Sequence, residues 1–134
     1  MTAMRTGGLR VQGAATFAYG VATAYRPALL ARPAGLVDAD GAVEPHTALV
    51  LRSMAWRDAA VGLAMLLAPQ GPALTAAGAV RIASDVGDAL FFGRALRGRL
   101  RRAGAVVSAL GWAAVTVAGL AAGPERRVSA GRRT

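Results

Sequence analysis

Six charged residues lie deep inside two long apolar runs, and that placement constrains the fold more than any other feature. Arg52, Arg57 and Asp58 interrupt the run from Thr47 to Ala68, and Arg81, Asp85 and Asp88 interrupt the run from Pro72 to Gly93. As helices, at about 1.5 Å per residue, each run is roughly 33 Å long and long enough to cross a bilayer. Charge at membrane depth is costly and usually functional. On the insertion scale each central charge costs about 2.5–3.5 kcal/mol, whereas a Leu or Val returns only about 0.3–0.6 kcal/mol. Neither run is comfortable alone, so their opposite charges are expected to meet.

The turn between the runs sets how they meet. Pro69-Gln70-Gly71-Pro72 reads as a tight hairpin, with Pro72 suited to a first helical position. Counted from that hairpin, Asp58 and Arg81 lie at depths of about 15 and 13.5 Å. Arg57 and Asp85 lie at about 16.5 and 19.5 Å, and Arg52 and Asp88 both near 24 Å. Antiparallel packing then sets opposite signs at similar levels, with Asp58 facing Arg81 as the expected pair. Arg81, Asp85 and Asp88 share one face through their i, i+4, i+7 spacing. Arg52, Arg57 and Asp58 spread around the helical wheel, so at least one of them must turn toward another helix.

Two more spans complete the expected architecture. The first, at 9–25, has a polar stripe: Gln12, Thr16, Tyr19 and Thr23 fall at i, i+4, i+7 and i+11. Such a stripe points into a bundle, as hydrogen-bonding glue between helices or as the lining of a cavity. The last, at 103–122, carries no charge, and Gly104, Ser108, Ala114, Ala118 and Ala122 form a small-residue pattern that suits close helix approach. The fold expected is all-α: a four-helix transmembrane bundle with spans at 9–25, 47–68, 72–93 and 103–122 and both termini on one side of the cell membrane. Residues 1–8 form a polar lead without a convincing signal-cleavage site. Residues 123–134 form a basic tail expected to be disordered. A soluble alanine-rich bundle is the alternative fold.

Composition narrows the function classes. The chain has 134 residues, of which 54% are hydrophobic and 17% charged. It has no cysteine and one histidine, His46, which excludes a thiolate or disulfide framework and argues against a histidine-based metal site. Asp38, Asp40 and Glu44 surround Gly41 but lack the spacing of a calcium loop, so they read as a solvated connection. The net charge of +9 is due to arginine, concentrated in the Arg94–Arg102 connection, the tail and the first ten residues. Arginine at the ends of apolar runs meets anionic headgroups, and no nucleic-acid motif accompanies it. No cofactor or metal and no nucleic acid is expected. The expected partners are the lipid bilayer, a small lipophilic molecule, and a second copy or another membrane protein docked on the last span.

The stretch Arg57-Asp-Ala-Ala-Val-Gly-Leu63, followed by Pro69 and by Asp85-Val-Gly-Asp88, resembles a bacterial family of small four-helix membrane proteins. The Pro27…Pro33-Ala-Gly-Leu36 stretch adds to the likeness, which covers about residues 10–122. That family is a domain of unknown function, loosely DoxX-like. The resemblance implies a four-helix membrane fold and supplies no activity.

Three functions fit these residues. The leading one is a membrane protein whose polar centre (Arg52, Arg57, Asp58, Arg81, Asp85 and Asp88 with Gln12, Thr16 and Tyr19) binds a small or lipophilic ligand. The second is an intramembrane isomerase or cyclase with Asp85 or Asp88 as acid or base. The third is a non-catalytic partner subunit. A purely structural ion-pair network is the alternative to any site.

Overall fold

The computed structural model describes residues 2–121, which form five helices: α1 (Thr2–Tyr25), α2 (Ala28–Ala34), α3 (Pro45–Leu67), α4 (Pro72–Ala95) and α5 (Arg99–Ala121). The expected basic tail, including Arg126, Arg127, Arg132 and Arg133, lies outside the described residues.

The all-α class stands, but the four-span transmembrane bundle does not. Among the described residues only α5 is long and apolar enough to cross a membrane. The reason lies in the charges that opened the reading. Three charged side chains within α3 and three within the interior of α4, besides Arg94 in its last turn, cost roughly 7–10 kcal/mol per helix on insertion, and an alanine-rich remainder does not return that. In α1, Arg5 and Arg10 join the polar stripe to the same effect. The same-side placement of the termini depended on four crossings and falls with them.

Local chemistry explains the helix boundaries. Helix α1 starts at Thr2 rather than Leu9, so the expected polar lead is helical from its second residue. Helix α2 was not anticipated between Pro27 and Pro33. Its end is a Schellman motif: Gly35 takes φ +69°, its N–H donates to Arg32 O, and Leu36 N donates to Ala31 O at 2.8 Å. Helix α3 is capped by Glu44. The Glu44 carboxylate accepts from Thr47 N at 3.0 Å, and Pro45 occupies the first turn. Hydrogen bonds from the His46 and Thr47 backbone hold the Glu44 carboxyl down at about 2. Gly71 at φ +107° permits the turn into Pro72.

Packing departs from the expected α3–α4 pair. Helix α1 packs chiefly on α3 and α4 chiefly on α5, and α3 touches α4 less extensively than either of those pairs. Glycines decide this. A Cβ on Gly62 would sit 2.5 Å from Phe17 N, and one on Gly20 would sit 2.7 Å from Ala55 O. The α1 and α3 backbones meet there with no room for a side chain. Between α4 and α5, Leu120 packs over Gly78. The small-residue pattern expected to bring α5 against a neighbour is not the buried face: Gly104, Ser108, Ala114 and Ala118 are exposed, Ala122 lies outside the described residues, and Ala113 and Thr116 are the buried positions. Leu9, Met65 and Leu74 close the core at the hairpin end. The outer faces remain apolar, with Leu63, Val80, Leu90, Val107 and Val115 all exposed.

Candidate functional site

Between the two helix pairs lies a cavity of about 490 Å³, a size suited to a small molecule. Helix α1 contributes Thr16, Tyr19 and Thr23, α3 contributes Met54 and Asp58, and α4 contributes Arg81, Asp85, Asp88 and Phe92. Helix α5 contributes Ser108 and Trp112. All four long helices therefore line it. The weaker α3–α4 contact is what leaves the space.

Two guanidinium–carboxylate clamps hold the carboxylates of its charged wall, Asp58, Asp85 and Asp88; Arg81 lines the cavity with them, whereas Arg57 stands outside the lining. Arg57 donates from Nη1 and Nη2 to the two oxygens of Asp88, at 3.1 and 2.7 Å, joining α3 to α4. It also donates from Nε and Nη2 to Asp58 Oδ1, at 3.2 and 2.8 Å. Arg81 holds Asp85 one turn along the same helix, Nε to Oδ2 at 2.9 Å and Nη2 to Oδ1 at 2.5 Å. Both clamps are bidentate, the strongest form of this interaction. Burial lowers the affinity of Arg57 for its proton, but the hydrogen bonds it donates to Asp88 and Asp58 outweigh this and leave the group above its usual value. Burial pushes the Asp85 carboxyl above its usual range, against the opposing pull of Arg81.

The expected Asp58–Arg81 pair is present only as a 3.9 Å approach between Asp58 Oδ1 and Arg81 Nη1, too long for a direct hydrogen bond. Arg81 is 7% exposed, and its Nη1 has no hydrogen-bond partner among the described residues. Thr23 Oγ1 is in the same position, on a residue only 1% exposed. Polar atoms of this kind are rare in a folded interior. Both belong to residues that line the cavity.

The other expected residues divide clearly. Thr16 is buried at the cavity, and Tyr19 lines it while half-exposed. Gln12 does not reach the charges. Its Nε2 donates to Thr116 Oγ1 at 2.8 Å and Trp112 O at 3.1 Å, tying α1 to α5. Arg52 is exposed and lines a separate hollow with Arg26 and Arg32, so it is not part of the centre. Arg10, expected to reach an interface, instead donates to Leu66 O and Ala68 O and caps the end of α3. Ser108, Trp112 and Met54 line the site and were not anticipated. Their signal was faint: Ser108 and Thr116 are the two hydroxyls of α5, and Trp112 lies between them on the same face.

A larger groove of about 780 Å³ runs along α3 and α4 near the hairpin, walled by residues such as Ala60, Leu63, Leu67 and Val80. It has no polar side chain to orient a ligand, so the chemistry lies in the smaller cavity. No cluster of His, Asp and Glu among the described residues is arranged to hold a metal ion. No protein-family model, curated protein or solved structure matches this chain.

Proposed function

We propose that the chain is a membrane-associated binding protein, anchored through α5, whose Arg/Asp-walled cavity holds a small lipophilic molecule. The single observation carrying this reading is the cavity itself: about 490 Å³, lined by Arg81 with an unpartnered Nη1 and by Trp112, Phe92 and Met54. Binding sites pair an apolar lining with a few placed polar groups, and this one has both. An ion-pair network serving only helix register needs no cavity beside it. The exposed apolar face of α5, Val107 and Val115 among it, would meet lipid beside the cavity, which gives a lipophile a route of entry.

The test uses Trp112 as a reporter in a Trp56→Phe background, with the protein in lipid nanodiscs. A bromoalkane should quench Trp112 saturably, and filling the cavity by Ala109→Phe should abolish the saturable phase. Quenching that stays proportional to the probe, or is indifferent to Ala109→Phe, would locate the probe in lipid and end the proposal.

A further inference from the structure

Away from the cavity, one basic hollow has no acid to answer it. Arg26 follows the last residue of α1, Arg32 stands in the last turn of α2, and Arg52 lies on α3. The corner at Pro27, between α1 and α2, brings the three around one hollow of about 480 Å³. All three are exposed, and none makes an ion pair or a side-chain hydrogen bond among the described residues. No carboxylate lines the hollow. Two acids of the following connection are turned to their own backbone: Asp38 Oδ1 accepts from Asp40 N and Ala42 N at 3.0 and 2.8 Å, and Glu44 caps α3. Three uncompensated guanidinium groups around a concave surface concentrate anions there. We infer that the hollow holds the phosphate of an anionic phospholipid headgroup.

The donors select phosphate. A guanidinium engages two oxygens in parallel, and a phosphate has oxygens for more than one arginine, whereas a carboxylate is filled by one. The surroundings select a lipid over a soluble phosphate. Pro27, Leu29 and Val43 line the same hollow and give it an apolar wall, where glycerol and the root of the acyl chains would lie. Tyr25, next to Arg26, and Trp56, one turn after Arg52, pack edge to face with ring centroids 6.1 Å apart, and both stay exposed. Exposed Tyr and Trp beside arginine are the side chains of a membrane–water interface. The hollow also stands at the right end of the bundle. Arg101, in the first turn of α5, packs on Gly35 just beyond α2, so the arginines share a level with the start of the helix able to cross a membrane. Such a site needs the membrane attachment proposed above and is independent of the cavity.

The experiment is quenching of Trp56 by lipids with brominated acyl chains, in full-length Trp112→Phe protein in phosphatidylcholine nanodiscs. Brominated phosphatidylglycerol and brominated phosphatidylcholine are titrated in turn at about 0.15 M salt, where a Debye length of about 8 Å damps diffuse attraction. Half-maximal quenching should come at an at least about fivefold lower mole fraction of phosphatidylglycerol, the effect of one arginine near an anionic surface. Arg26→Gln/Arg52→Gln should bring the two lipids together. Arg97→Gln/Arg99→Gln, which removes the same charge from the start of α5 and the turn before it, should keep the difference. Circular dichroism of both variants checks that the helices are intact. Inorganic phosphate, added at constant ionic strength, should leave the preference in place. Equal quenching by the two lipids, or an equal loss of preference in both double variants, would reduce the hollow to part of a diffuse positive surface and overturn the site. Loss of the preference to inorganic phosphate would assign the hollow to a soluble phosphate and overturn the lipid. Absence of quenching by either lipid would remove the membrane attachment itself, and the site with it.

Discussion

Arg81 and Asp85 carry opposite charges in a nearly dry setting, at 7% and 3% exposure, and each is tolerable only because of the other. Removing Arg81 alone by Arg81→Met leaves a buried carboxylate without its clamp and should destabilise by about 3–5 kcal/mol. Asp85→Leu alone leaves a buried guanidinium and should cost a similar amount. The double variant should cost well below the sum, because neither charge remains. The Asp58–Arg81 pair separates differently. Its 3.9 Å approach makes no direct hydrogen bond, and Asp58 already accepts twice from Arg57, so its coupling to Arg81 should be clearly weaker than that of Asp85. Denaturant unfolding of the two double-mutant cycles measures both. Equal coupling in the cycles would mean that Asp58 and Asp85 share Arg81 evenly, contrary to the geometry described.

At the scale of elements, glycine placement rather than charge complementarity chose the helix partners. Gly62 is the sharpest case: its missing side chain lets α1 cross α3 with Phe17 N only 2.5 Å from where a Cβ would stand. Gly62→Ala must push two backbones apart and should cost about 1–3 kcal/mol. Gly87, exposed on α4 with open space around it, provides the contrast. Gly87→Ala should stabilise by about 0.5–1 kcal/mol through helix propensity alone. Thermal unfolding of both variants checks the pair, and a neutral Gly62→Ala would mean that α1 and α3 do not approach as closely as described. This contrast also explains what the sequence disclosed. Helical periodicity and the Pro–Gln–Gly–Pro turn were enough to locate the long helices, and Arg81, Asp85 and Asp88 were correctly placed on one face. Matching depths put Asp58 opposite Arg81, but depth fixes only level along a helix. Rotation around the axis depends on which neighbour comes closest, and that was set by Gly13, Gly20 and Gly62 meeting across α1 and α3. Arg52 consequently turned outward, Arg57 reached Asp88, and α3 and α4 stood apart around a cavity. Helix α2 escaped notice because Pro27 and Pro33 look like breakers. Pro27 precedes the first turn and Pro33 lies in the last, where the helix is ending at Gly35.

For the whole molecule, the proposed membrane attachment rests on one helix. Helix α5 has the length and apolarity to cross, and its outward side chains include Val107 at 70% exposure and Leu110 at 45%. Both are exposed, whereas Ala113 and Thr116 are the buried positions that secure α5 to the other helices. Membrane grip and internal packing can therefore be separated by substitution. Alkaline carbonate extraction of washed membranes should leave the full-length protein in the pellet. Val107→Arg together with Leu110→Arg puts two charges near the middle of α5, at about 2.5–3.5 kcal/mol each, against the small return from the residues replaced. That variant should appear in the supernatant with its helical circular dichroism intact. Release of the unsubstituted protein would rule out an integral anchor. Retention of the double variant would shift the grip from α5 to the exposed apolar faces of α3 and α4, around Leu63, Val80 and Leu90, and the single-anchor reading would fail.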